Sequence, residues 1–166
     1  MGENRGKQFE NVIRSAFERA EGVSIDRLHD QTTGFYGSTN IADVIVYRKP
    51  YEYYFELKSV HGNTLSIHSN DPSKKYGNIT NKQWEGLLEK SKIKGVTAGV
   101  ICWWVDRDST LFLPIQMLER IRNNGVKSIR YDNPSFDIAV VPGTKKRVFY
   151  DYNMTEFLND LERRKA

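Results

Sequence analysis

In the stretch YYFELKSV, Tyr53 to Val60, a glutamate and a lysine stand two residues apart inside an otherwise apolar, aromatic-led run. On a strand of period two, Glu56 and Lys58 point to the same face. Charged side chains are seldom buried unless they are paired or hold a metal. Thirteen residues before Glu56, the run IADVIVY carries Asp43, a residue type depleted in strands. Lys49, Pro50 and Tyr51 make a turn between the two runs, so they are expected to fold as a hairpin with Asp43 and Glu56 toward the same end. Two carboxylates and one ammonium then converge beside an apolar core. Metal-assisted hydrolysis of a phosphodiester needs such a set. The carboxylates are hard oxygen ligands for Mg²⁺, the metal acidifies a water, and the lysine orients that water and stabilises developing charge. The pattern Asp/Glu-x-Lys alone is weak, and a same-face salt bridge without chemistry is its ordinary reading.

The elements that would position these residues follow from the pattern of the chain. Phe9, Val12, Ile13, Ala16, Phe17 and Ala20 have the spacing of an amphipathic helix over about 3–20, ended by Gly22. Glu10 lies at the edge of that apolar stripe, where a carboxylate can look into a cleft over the sheet. A short strand is predicted at 23–28, then the hairpin strands 41–47 and 53–60, then a long loop to Ile79. Thr80 and Gln83 have capping-box spacing for a helix running to about Lys92. VTAGVICWWV reads as a central strand, and TLFLP, a helix over 114–123, three shorter strands (SIRY, FDIAVV, RVFYDY) and a C-terminal helix from about Thr155 complete the chain. Asn153 and Glu156 are placed to cap that last helix, and the basic tail after it is expected to be mobile. The order α-β-β-β-α-β predicts a mixed α/β fold with one central sheet flanked by helices, and residues 1–166 are expected to form a single domain.

The remaining composition sets bounds. One cysteine, Cys102, excludes an intramolecular disulfide, and its apolar surroundings favour a buried structural thiol over a nucleophile. Neither a signal-type apolar region nor a run of membrane-spanning length is visible, so a cytoplasmic protein is expected. No Gly-rich phosphate loop is present, which argues against a nucleotide cofactor. His29, His61 and His68 lack metal-site spacing. A net charge of +4 leans toward polyanionic partners. The basic residues partly cluster, at Lys74–Lys75, Lys90 to Lys94, Lys145 to Arg147 and Arg163 to Lys165, and a solvated face is the ordinary reading of any one cluster.

Taken together, NRGKQFE, GSTNIADVIVY and YFELKS resemble the PD-(D/E)xK nuclease superfamily, and in order and spacing the Holliday-junction resolvases of the RecU and archaeal Hjc type, including phage relatives. The resemblance covers about the first half of the chain. It implies a restriction-endonuclease-like core and a homodimeric, Mg²⁺-dependent endonuclease (Mn²⁺ able to substitute) that nicks four-way DNA junctions symmetrically in recombination and repair. By position, Glu10 matches the acidic residue of the first helix, Asp43 and Glu56 the metal ligands, and Lys58 the catalytic lysine. The Leu57 carbonyl would complete the metal shell, with Glu10 beside it. Gln83 resembles a glutamine that places metal or water, and its capping-box role stands as the alternative. Ala42 occupies the place of the superfamily's proline, and the segment His29 to Asn40 is shorter than the stalk of the RecU group.

Arg5, Lys7 and Arg14 near Glu10, and Lys74 and Lys75 after the hairpin, are the expected contacts to DNA phosphates. The residues leave open a restriction-like or repair nuclease acting on other DNA, and a DNA-binding module without catalysis. The resemblance also implies the cytoplasm of a bacterial cell or a phage-infected host.

Overall fold

The computed structural model describes residues 4–27, 40–67, 77–133, 135 and 137–165. In chain order the elements are α1 (Arg5–Glu18), β1 (Ser24–Arg27), β2 (Val44–Arg48), β3 (Tyr51–Val60), β4 (Thr64–Ser66), α2 (Asn81–Ser91), β5 (Val96–Trp104), β6 (Ser109–Pro114), α3 (Ile115–Asn123), β7 (Ser128–Arg130), β8 (Ala139–Val140), β9 (Gly143–Lys145), β10 (Tyr150–Tyr152) and α4 (Met154–Lys165). Six strands make a central mixed sheet in the order β1-β2-β3-β5-β6-β8. The long strand β3 is its axis. It pairs antiparallel with β2, from Val44↔Phe55 to Arg48↔Tyr51, and parallel with β5, from Glu52↔Val96 to Val60↔Trp104.

Alternation along β3 and β5 divides the core. Phe55, Leu57, Ile101 and Trp103 face α1 and α4, where Phe9, Ile13, Phe17, Phe157 and Leu161 are buried against them. Tyr54, Val60, Val100, Cys102 and Trp104 face the opposite way, toward Trp84 and Leu87 of α2 and Leu118 of α3. Helices therefore cover both faces of the sheet, as the element order predicts. Cys102 is the buried thiol expected, and burial pushes its pKa well up.

Several expectations need correction. The first helix is shorter at both ends than its periodicity implies, and Gly22 lies in the turn beyond it with a φ of 70°. The strand expected from Ile41 begins only at Val44, and Ala42 before it packs on the α2 side of the sheet while Val44 and Val46 pack on the other. The expected long loop contains β4, which pairs with β7 across more than sixty residues of sequence. FDIAVV shrinks to the two-residue β8, and RVFYDY to β10, whose partner β9 has no sequence signal. The C-terminal basic residues are not a loose tail. They form the last turn of α4, with the Lys165 ammonium 3.9 Å from the Tyr51 ring centroid and 4.6 Å from that of Tyr53. The Asn153–Glu156 cap is present, with the Glu156 N–H donating to Asn153 Oδ1 at 3.0 Å. Among the described residues no helix is long and apolar enough to cross a membrane.

Phe55 is the hub of the α1–α4 side. Its ring stacks on Phe17 at 5.5 Å and meets Phe112 edge-on at 5.3 Å, with Phe157 at 5.8 Å. Phe55→Ala should therefore cost about 3–5 kcal/mol of unfolding free energy, read from urea titration. A cost below about 1 kcal/mol would show that this side repacks freely.

Candidate active site

The site is built where β2 gives out and β3 continues. The β2–β3 pairing stops at Val44↔Phe55, one residue short of Asp43 and Glu56. The Asp43 N–H still donates to the Phe55 carbonyl at 3.0 Å, but its side chain leaves the strand pattern. Asp43 Oδ2 accepts the Leu57 N–H at 2.8 Å, taking over a ladder donor at the point where β2 ends. An aspartate is tolerated here because it sits at a strand terminus rather than inside a strand. The N–H and C=O of one strand residue face the same neighbour, so the Leu57 carbonyl lies on the Asp43 side.

Glu56 is only 3% exposed. Its Oε1 lies 3.2 Å from Lys58 Nζ and accepts Gln83 Nε2–H at 2.7 Å. Burial is the largest influence on this carboxyl, and the negative charge of Asp43 is the next. Together, against the opposing pull of Lys58, they push its pKa up to about 8. Glu10, half-buried on α1, raises it further by its charge, the smallest of these effects. Asp43, Glu56, Lys58 and Gln83 are thus brought together directly, whereas Glu10 acts on Glu56 from the helix that covers the other face of the sheet.

Gln83 makes both a capping contact and a contact with Glu56. Its Oε1 accepts the Thr80 N–H at 3.0 Å, and its backbone N–H donates to Thr80 Oγ1 at 3.2 Å, so the capping box is complete. Its Nε2 is at the same time the donor to Glu56. One amide caps α2 and reaches into the site.

Sequence reasoning missed the contact that seats the chain ahead of Asp43. A Cβ built on Gly86 of α2 would fall 2.3 Å from Ile41 Cγ2 and 2.7 Å from Ile41 Cβ. Ile41 therefore lies directly on the helix backbone, three residues along from Gln83. A glycine in the middle of a helical pattern was the available signal.

The residues expected to contact DNA lie on different parts of the chain. Arg5 opens α1 with its guanidinium 5.7 Å from the Phe149 ring centroid, and Lys7 is exposed on the same turn. Arg14, further along the helix, lies 3.8 Å from Glu18. Lys74 and Lys75 lie outside the described residues, as do His29 and His68. His61 is exposed and 3.2 Å from Asp106, whose pKa is lowered first by the Gly62 N–H and then by His61. Among the described residues no three His, Cys, Asp or Glu side chains form a group arranged to hold a metal. The hard donors at the site are the two carboxylates and the Leu57 carbonyl.

Among solved structures, the chain is similar to the 1.6 Å structure of Hjc from Archaeoglobus fulgidus, described as a Holliday junction resolvase from an archaeal hyperthermophile. The TM-score is 0.50 at 21% identity, over 75% of this chain and 88% of that one. The fold is restriction-endonuclease-like. The chain matches no protein-family model and no curated protein.

Two measurements test the site's construction. Gly86→Ala must displace Ile41, so it should destabilise the protein by about 1–3 kcal/mol although alanine is the better helix former by about 1 kcal/mol. A stabilising outcome would show that Ile41 is not seated as described. The second concerns Glu56, whose pKa is raised in the folded state from an ordinary 4.5 to about 8. Its contribution to stability is therefore full below pH 4.5 and is lost as pH rises through 8. In chelator, Glu56→Gln should gain on the native chain across that window, by at most about 1.4 kcal/mol per pH unit. A stability difference that does not vary with pH would show that Glu56 is not held as described.

Proposed function

We propose that this chain is a Holliday junction resolvase, a Mg²⁺-dependent, structure-selective endodeoxyribonuclease that makes paired nicks in four-way junctions. The observation that carries this reading is the meeting of Asp43, Glu56 and Lys58 at one end of a hairpin, in a fold shared with a solved junction resolvase. The wider likeness of its motifs to RecU- and Hjc-type enzymes supports action as a homodimer, in a bacterial cell or a phage-infected host. A twofold assembly suits a near-symmetric substrate cut on two strands.

The residues present fit a divalent cation. Two close carboxylates in a buried setting repel one another, a condition a dication relieves, and all three donors are hard oxygens of the kind Mg²⁺ takes. Asp43, Glu56 and the Leu57 carbonyl would hold it, with Glu10 as a further carboxylate within electrostatic reach. When bound, the metal would acidify a water and neutralise charge developing on the phosphate. Lys58 holds its ammonium against Glu56, where it can orient the attacking water and meet the negative charge of the transition state. Gln83 restrains the Glu56 carboxylate from the α2 side. In the reaction a water oxygen bonds to phosphorus as the bond to the 3′ oxygen breaks, and that oxygen leaves protonated.

The test is cleavage of a labelled four-way junction beside a matched linear duplex, with Mg²⁺ or with EDTA. Symmetric nicks in the junction alone are expected. They should vanish in EDTA and fall at least about a hundredfold with Lys58→Ala. Equal cutting of the duplex would instead indicate a restriction-like or repair nuclease. Binding without cutting under any divalent ion would indicate a non-catalytic DNA-binding module.

A further inference from the structure

The segment Lys146 to Phe149 joins β9 to β10, closed by the Lys146 N–H donating to the Phe149 carbonyl at 2.8 Å. Its place in the fold is fixed by aromatic contacts. The Phe149 ring lies 5.4 Å from that of Trp103, and Trp103 is the register partner of Ser59, the residue after Lys58. Arg5 lies over the same Phe149 ring, and Gly6 next to it faces Ser59, a Cβ there falling 3.8 Å from Ser59 Oγ. The first turn of α1 and the hairpin tip therefore sit together on the end of β3 that carries Lys58.

What the tip presents is uncompensated charge. Lys146 and Arg147 are exposed, and among the described residues neither has a carboxylate partner. The acids on nearby elements are already engaged: Asp108 with Lys145 at 2.6 Å, and Asp151 with Arg19 at 3.0 Å. Among the described arginines elsewhere in the chain the pattern is neutralisation. Arg14, Arg48, Arg120, Arg122 and Arg130 each hold a carboxylate. Arg5, like the tip, has none among the described residues; its contact is the ring of Phe149.

We propose that the β9–β10 tip, through Lys146 and Arg147 and together with Arg5, grips the phosphate backbone of a DNA arm lying across the end of the sheet beside Lys58. The proposal rests on the nuclease reading of the site and adds to it the surface that holds the substrate. Ser59 and Lys58 point to opposite faces of one strand, so a single cleft does not join tip and site. A duplex arm crossing the end of the strand can present a backbone to each face, since its backbones lie about 12 Å apart across the major groove. Unpaired, exposed cations of this kind set affinity and register without reading bases, which suits a substrate recognised by shape.

The experiment is anisotropy titration of a labelled four-way junction in EDTA over a series of salt concentrations, with the native chain and with Lys146→Ala/Arg147→Ala. The double variant should bind between about tenfold and a hundredfold more weakly near 0.1 M salt, with the slope of log affinity against log salt reduced by roughly two. Circular dichroism should show an unchanged fold, because both side chains are exposed. Lys94→Ala removes an exposed cation, also without a carboxylate partner among the described residues, before the start of β5 at the other end of the sheet, and should leave binding unchanged. Unchanged affinity and slope in the double variant, with the native chain binding well, would overturn this inference and leave the proposed function standing. Equal weakening by Lys94→Ala would overturn it too, since the charge would then act through the whole surface. A native chain that binds neither junction nor duplex would overturn the nuclease reading and this inference with it.

Discussion

Everything at the site depends on β3 being paired in opposite senses on its two sides. The antiparallel partner β2 is reached by a tight turn, and at the far end of this short hairpin Asp43 is bonded to Leu57, the neighbour of Glu56. The parallel partner β5 cannot be reached that way; the chain must cross over the sheet before it returns. That crossover carries α2 onto one face, the face to which Glu56 and Lys58 also point. Gln83 arrives over Glu56 because a parallel neighbour demanded a helix there.

The electrostatics follow from that geometry. A glutamate taken almost wholly out of water, with another carboxylate across from it, is unfavourable unless something compensates. Lys58 and Gln83 both address the same oxygen, and the pKa remains high in spite of them. The arrangement therefore differs from an ordinary surface ion pair, which is exposed and contributes little. It resembles instead the kind of carboxylate pair that functional sites maintain at a cost to stability. The Asp43 contact with the Leu57 N–H serves the same end, because it fixes one carboxylate through the backbone of the residue next to the other.

How far this was legible varies by residue. The period-two face of Glu56 and Lys58, the hairpin, the capping box and the helical stripe of Phe9, Ile13 and Phe17 all follow from local spacing, and local spacing survives in the fold. Asp43 was placed one step too deep because a β-rich run does not announce that its first residues will be claimed by a side-chain bond. The pairings of β4 with β7 and of β9 with β10 escaped for a different reason. The short β4 and β9 carry too little alternation to be seen, and the partners of β7 and β10 are chosen by tertiary packing. The double use of Gln83 lay beyond any spacing rule, since one of its bonds is local and the other spans 27 residues. The Arg14–Glu18 pair, at 3.8 Å one turn along α1, is likewise a local i,i+4 spacing that the sequence already carries.

The half of the chain that carries no motif is what holds α2 in place. Trp84 Nε1 donates to Glu119 of α3 at 2.5 Å, and Arg122 binds the same carboxylate while its guanidinium lies 4.5 Å over the Trp84 ring. Trp84 follows Gln83 directly, so this bracket sets the rotation of the helix turn from which the amide reaches Glu56. Ile41, seated on Gly86, transmits the same setting to the segment before Asp43. Asp43 and Gln83 approach Glu56 from different parts of the chain, yet both are referred to one helix, and that helix is referred to α3. The distance between the two carboxylates is therefore a property of packing far from them, which is why residues after Ile93 matter to a site that contains none of them.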